Sequence, residues 1–231
     1  MSELLAVLFD VDFTLARPGP ELGPEGYRRL GERHGLVLDP ARYDEARIAA
    51  MDSLEHHPEL HHDDEIWVAF TERIVRGMGG DAETAYTCAV EMTQAWEYAG
   101  NFELYDDALP VLAELRRHGL KLGLVSNTGR DLETFVVDHA LDVDVAIGSR
   151  AHGRTKPHPT IFRAALEKLG VEPENAAMVG DTVADDIEGA RALGMRAFLL
   201  DRDGRYPEHE PRLETLLALP AALGLRCADV D

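Results

Sequence analysis

Leu4 to Phe9 form an unbroken apolar run that ends in Asp10-Val11-Asp12-Phe13-Thr14. A strand of this kind is buried on both faces, as central parallel strands are, and must release its carboxylates at its end. From Leu104 onward, helix-period and strand-period segments alternate. Ala108 to His118 reads as a helix with Leu109, Leu112 and Leu115 on its apolar face, stopped by Gly119. A strand, Leu120 to Val125, follows and ends in Ser126-Asn127.

The alternation continues with a helix at about 131–139, a short strand from Val143 to Ile147, and a polar loop carrying Lys156-Pro157. Pro159 to Leu169 places Ile161, Phe162, Ala165, Leu166 and Leu169 on one helical face. Ala176 to Val179 is the next strand and ends at Gly180-Asp181; Ile187 to Leu193 is helical, and Ala197 to Leu200 is the last strand. Such a β/α order predicts an α/β fold: a Rossmann-like parallel sheet with helices on both faces and its charged strand ends along one edge. Arg212 to Leu223 reads as a final helix with Leu213, Leu216, Leu217 and Ala221 inward.

Residues 17–99 interrupt the pattern. They contain no convincing strand and four amphipathic stretches of helix length, at about 24–34, 40–54, 64–78 and 82–98, after an exit marked by Pro18-Gly19-Pro20. The expected division is an α/β core of residues 1–16 and 100–231 and a small all-helical cap of residues 17–99.

Composition narrows the partners. Acidic side chains outnumber basic ones 43 to 23, a formal charge of −20, which repels nucleic acid and anionic lipid. No stretch is long and apolar enough to span a bilayer, and the first apolar run has no basic region ahead of it, so a cytoplasmic location without membrane contact is expected. Cys88 and Cys227 show no metal-type spacing; two reduced thiols are the simple reading, with a disulfide between them as the alternative.

Asp10-Val11-Asp12-Phe13-Thr14, Ser126 after a strand, Lys156 in Lys156-Pro157-His158-Pro159, and Gly180-Asp181 followed by Asp185-Asp186 stand in the order found in one family. On these motifs the chain resembles the haloacid dehalogenase-like hydrolases, and the helical insert sits where that family carries its cap. The resemblance implies a phosphatase in which Asp10 attacks phosphorus and becomes an aspartyl phosphate, while Asp12 protonates the leaving oxygen and later deprotonates water. It also implies that Ser126 and Asn127 hydrogen-bond the phosphoryl oxygens, and that Lys156 neutralises Asp10 and the transferring group.

Like charges ~4 Å apart repel by about 4 kcal/mol at an effective dielectric near 20, so a phosphate could not enter this acidic cluster unaided. Oxygen donors of this kind suit Mg²⁺, with Asp10, the backbone carbonyl of Asp12 and Asp181 as the expected ligands. The resemblance also implies that Thr14 and Asp186 stand behind them, Asp186 holding a metal-bound water or orienting Lys156. For Asp185 the simpler role is a carboxylate in the first turn of a helix. Phe13 stands where many relatives carry Gly, and His158 and Asp185 replace the commoner Asp and Asn.

The expected substrate is a small phosphomonoester. The alternatives are a sugar phosphomutase on the same core and a catalytically silent binding protein. Asp12 argues against the metal-free dehalogenase branch. The phosphonatase branch needs a cap lysine, and the first of the three lysines is Lys121. The segment from His56 to Asp64 has the residue types of a transition-metal site, but Pro58 breaks helical spacing; a solvated loop whose Asp63 or Asp64 caps the next helix is the simpler account. A histidine there reaching the substrate is a third possibility. Arg17, Tyr43, Arg47 and Trp67 are candidate specificity residues, and Asp201-Arg202-Asp203-Gly204 reads as a plain turn. The oligomeric state is not readable from the chain.

Overall fold

The computed structural model describes residues 3–54 and 57–225; His56 and Cys227 lie outside the described residues. In chain order the elements are β1 (Ala6–Phe9), β2 (Ala16–Pro18), α1 (Pro24–Arg33), α2 (Tyr43–Asp52), α3 (Asp64–Gly77), α4 (Ala85–Glu97) and β3 (Phe102–Leu104). They continue as α5 (Ala108–Arg117), β4 (Lys121–Ser126), α6 (Leu132–Asp138), β5 (Val145–Gly148), α7 (Ser149–His152), α8 (Pro159–Leu169) and β6 (Ala176–Gly180). A π-helical turn at Val183–Glu188 leads into α9 (Gly189–Ala192), then β7 (Arg196–Leu200), β8 (Arg212–Leu213) and α10 (Leu219–Ala222). No described helix is long and apolar enough to cross a membrane.

A six-stranded sheet runs in the order β5-β4-β1-β6-β7-β8 with every pairing parallel. The fold is α/β, as the sequence predicts. β1 is central because all four of its residues are buried, and the alternation of a strand divides them between two cores. Val7 and Phe9 pack with Leu112, Leu115 and Phe135 of α5 and α6, whereas Ala6 and Leu8 pack with Ile161, Phe162 and Leu166 of α8.

Local chemistry sets the helix starts. Asp131 accepts from the backbone of Glu133 and Thr134 to begin α6, and Asp63 accepts from Glu65 to begin α3. His158 takes the same position for α8, with Pro159 as the first helical residue, so an imidazole does the capping that an Asp would do.

All four expected helices of the insert form, and α3 packs against both α2 and α4. The insert is not free of strand, however. β2 pairs antiparallel with β3, Arg17 opposite Glu103, and makes a two-stranded neck under the helices. Gly19 continues it, for a Cβ there would lie 2.8 Å from the carbonyl oxygen of Asn101.

Three further expectations are corrected. Leu109 is 46% exposed, and Val111 takes its inward place beside Leu112 and Leu115. β7 is not the last strand, because Leu199 and Leu200 pair with Arg212 and Leu213 of β8. The expected helix from Arg212 to Leu223 is instead this strand, a 3₁₀ turn at Leu216–Ala218 capped by Thr215, and the four-residue α10. Pro220 cannot donate inside a long helix, and Asp107 captures both the Thr215 hydroxyl and the Leu216 amide, which breaks the helical ladder at its start.

Candidate active site

The ends of β1, β4 and β6 converge with the loop between α7 and α8. Together they line a cavity of about 340 Å³ containing Asp10, Asp12, Ser126, Asn127, Lys156 and Asp181. Beyond β1 the chain turns at once, with the Val11 carbonyl accepting from the amides of Leu15 and Ala16, both at 2.9 Å. This turn projects Asp12 back toward the site. Phe13 at its tip has φ 62°, the left-handed region where glycine is at ease, so its aromatic side chain sits on a backbone held by the surrounding structure.

Lys156 is 2% exposed, and its Nζ donates to Asp10 Oδ1 at 2.5 Å and to Asp186 Oδ1 at 2.6 Å. Burial alone would lower the lysine pKa, but Asp10 and Asp186 more than reverse this and hold the ammonium charged. Asp186 approaches from the π-helical turn, its second oxygen accepting from the Thr182 amide at 3.1 Å. Glycine at position 180 is required for this approach, since a Cβ would stand 2.2 Å from the Asp186 carboxyl.

One oxygen of each of Asp10, Asp181 and Asp186 lies within 4.8 Å of the others. Burial, then the charges of Asp10 and Asp186, push the Asp181 carboxyl well above the usual range. Three carboxylates with one lysine between two of them form a hard-oxygen donor set short of positive charge, which fits a divalent cation.

Ser126 Oγ and Thr14 Oγ1 are buried and have no hydrogen-bond partner among the described residues. For Ser126, which lines the cavity, this leaves a donor open to a bound anion. Asn127 is differently placed. Its Oδ1 accepts from the Lys156 amide at 2.6 Å, and its Nδ2 donates to the Lys156 carbonyl at 3.1 Å and to Asp185 Oδ2 at 3.2 Å. The side chain thus grips Lys156 and has no further donor for a phosphoryl oxygen. Asp185 faces the cavity as well as belonging to the first turn of its helix.

The sequence reading missed Arg130. Its guanidinium pairs with Asp12, donates to the Trp96 carbonyl at 3.1 Å, and stacks 3.7 Å from the centroid of Phe102. Burial raises the Asp12 pKa, and Arg130 opposes that rise without cancelling it. The only hint in the chain is a cation four residues beyond Ser126.

The histidine-rich loop straps the helical insert to the core. Thr155 donates its amide to the Leu60 carbonyl at 2.9 Å, and His62 meets Ser149 Oγ and Asp64 Oδ1, each at 2.8 Å. Among the described residues it forms no metal-binding group, and His57, His61 and His62 do not line the cavity. Of the candidate specificity residues, Trp67 lines the cavity and Arg47 lies over the Phe13 ring. Arg17 pairs with Glu103, and Tyr43 donates to the Leu22 carbonyl in the core. Asp201 closes a turn by accepting from the amides of Arg205 and Tyr206.

Residues 4–194 match the family model of haloacid dehalogenase-like hydrolases. The chain is 33% identical over 218 residues to a glyceraldehyde 3-phosphate phosphatase of Methanopyrus kandleri, covering 90% of this chain and 88% of that one. It is 32% identical to haloacid dehalogenase-like hydrolase domain-containing protein 3 of Danio rerio, covering 94% and 95%. A crystal structure of a HAD phosphatase from Thermococcus onnurineus superposes with a TM-score of 0.66 at 28% identity, covering 96% and 98%. A further match, 40% identity to phosphatase MT3486 of Mycobacterium tuberculosis, spans about half of either chain, 47% and 52%. The chain belongs to the haloacid dehalogenase-like hydrolase family and is an enzyme acting on phosphoesters.

Proposed function

We propose that the enzyme is a Mg²⁺-dependent phosphatase that hydrolyses a small phosphomonoester through an aspartyl-phosphate intermediate. The observation that carries this reading is one cavity lined by Asp10, Asp12, Ser126, Lys156 and Asp181, which four separate segments of the chain bring together. In it Asp10 is the nucleophile: its carboxylate oxygen bonds to phosphorus as the ester oxygen leaves, and Asp12 gives that oxygen a proton. Asp12 then takes a proton from water, whose oxygen attacks phosphorus, releasing phosphate and restoring Asp10. The raised pKa of Asp12 suits a group that must hold a proton in one step and accept one in the next.

Lys156 balances the charge of Asp10 and of the phosphoryl group, Ser126 donates to a phosphoryl oxygen, and Asn127 and Asp186 hold Lys156 in place. Arg130 fixes the Asp12 carboxyl. Asp10, the Asp12 carbonyl and Asp181 would hold Mg²⁺, which when bound supplies charge neutralisation for the incoming phosphate. We assign residues 17–99 to a cap over a core of residues 1–16 and 100–231, with the cap enclosing the leaving group.

The test is turnover of 4-nitrophenyl phosphate with and without Mg²⁺, and mass spectrometry of the quenched enzyme. The expected result is metal-dependent release of phosphate and a phosphate adduct on the Asp10 peptide, both lost in Asp10→Asn. Phosphoryl transfer to a sugar hydroxyl in preference to water would establish a mutase instead.

A further inference from the structure

The cavity has two chemically distinct halves. The floor carries the charged groups described above. The apolar part of the lining, a wall contributed mostly by α2, α3, α4 and their flanks, consists of Phe13, Met51, Leu54, Trp67, Phe70 and Trp96. Except for Phe70 these side chains are only partly buried, so they turn apolar surface toward the cavity. The rings of Trp67, Phe70 and Trp96 continue edge to face into those of Phe102 and Phe135, with centroids 5.7 to 6.5 Å apart. Such interlocked rings form a stiff wall with little rotamer freedom.

The few polar atoms in this wall are already used. Thr93 donates to the Ala89 carbonyl at 2.9 Å and accepts from the Thr71 hydroxyl at 3.2 Å, and the Trp96 indole donates to the Tyr27 hydroxyl at 3.1 Å. Glu97 is paired with Arg150. The cations lining the cavity are Lys156, Arg130 and Arg205. The first two are held by Asp10, Asp186 and Asp12, and the third is exposed at the rim. A leaving group bearing a carboxylate or second phosphate would lose its hydration against this wall, close to Glu97, without an uncommitted buried cation to meet it.

We propose that the wall selects phosphomonoesters whose leaving group is uncharged and apolar, with an aromatic ring placed against Trp67 and Trp96. This rests on the phosphatase reading above and adds the substrate class to it. The phosphoryl end provides affinity common to all substrates; the wall provides the discrimination.

The experiment compares kcat/KM of the Mg²⁺-loaded enzyme for benzyl phosphate, ethyl phosphate and phosphoglycolate. All three expel primary alkoxides, so intrinsic leaving-group reactivity varies little among them. Benzyl phosphate is expected to exceed ethyl phosphate by about tenfold or more, equivalent to about 1.4 kcal/mol, with most of the difference in KM. Phosphoglycolate is expected to be the poorest. Trp67→Ala should shrink the benzyl-to-ethyl ratio about tenfold, and Trp67→Phe should restore it.

Equal efficiencies for the two neutral esters in the wild-type enzyme, or a preference for phosphoglycolate, would overturn the proposal while leaving the phosphatase reading intact. That outcome needs no variant, so it stands even if Trp67→Ala misfolds. Absence of turnover of all three and of 4-nitrophenyl phosphate would refute the phosphatase reading and this proposal together.

Discussion

Arg130 and Asp12 are 118 residues apart in the chain, yet their side chains pair at the centre of the site. The guanidinium is sandwiched by its surroundings: Phe102 lies on it, Phe135 is 5.4 Å away, and the Trp96 carbonyl receives a second hydrogen bond. A cation so confined sets where the Asp12 carboxyl stands.

If that carboxyl protonates the leaving group, then Arg130→Met should lower kcat for an alkyl phosphate by roughly 10²-fold, the lower end of what general acid catalysis contributes. The loss should be much smaller with 4-nitrophenyl phosphate, whose leaving oxygen needs little protonation. Arg130→Lys should recover only part of the loss, because an ammonium lacks the planar fork. An equal loss on both substrates would point to a general structural role. Steady-state kinetics on the two esters, with thermal melting of each variant, decide this.

Asp181 is desolvated by its surroundings and faces the charges of Asp10 and Asp186. Its folded pKa is raised, so between the unfolded value near 4 and the folded value the folded state binds more protons, and stability falls as pH rises through that window. Once ionised, the group is destabilising until a cation binds. Asp181→Asn should therefore raise Tm in metal-free buffer. Mg²⁺ should raise the Tm of the wild-type protein, by the equivalent of about 2.7 kcal/mol at a hundred times Kd, and scarcely move the variant. Differential scanning fluorimetry over a Mg²⁺ series reads both effects.

Asp107 shows the opposite behaviour. Burial would raise its pKa, but Arg202 donates to both oxygens at 2.8 and 2.9 Å, Thr215 donates at 2.7 Å and the Leu216 amide at 2.9 Å, and together they lower it. A lowered folded pKa gives stability that is complete above the unfolded value near 3.9 and is lost as pH falls through the folded value. Asp107→Asn should cost about 2 kcal/mol at pH 7, in line with loss of charge-assisted hydrogen bonds. The gap from wild type should close in acid, which urea midpoints at pH 7 and below pH 4 will test.

Cys88 is fully buried, and burial pushes its thiol up to about 11. It should resist iodoacetamide at pH 8 in the native protein and react once the chain is unfolded in urea. Peptide mapping separates it from Cys227.

The chemistry of the site was legible where it is local. Asp10, Ser126, Lys156 and Asp181 each follow an apolar run or sit in a short motif, and a parallel sheet brings such ends together without further information. Arg130 was not legible, because its meaning depends on Asp12, Phe102 and Phe135, which only the tertiary fold collects. The aromatic wall was legible only at Trp67, one of the candidate specificity residues, because Phe70 and Trp96 read equally well as cap core. The tail was misread because leucines at helical spacing also suit a short strand and a capped turn, and only the partner Asp107 distinguishes these. The wide turn carrying Asp186 has no periodicity signal at all.

The grip of Asn127 on Lys156 has a mechanical consequence. One planar amide is joined to both the N–H and the C=O of a single residue, so the two segments meet as paired bases do, through parallel bonds that resist both sliding and rotation. Asn127 is the residue that follows β4, and Lys156 lies in a loop. The anchor therefore transfers the positional accuracy of a sheet to a loop residue, and Ser126 and Lys156 are displaced, if at all, as one piece.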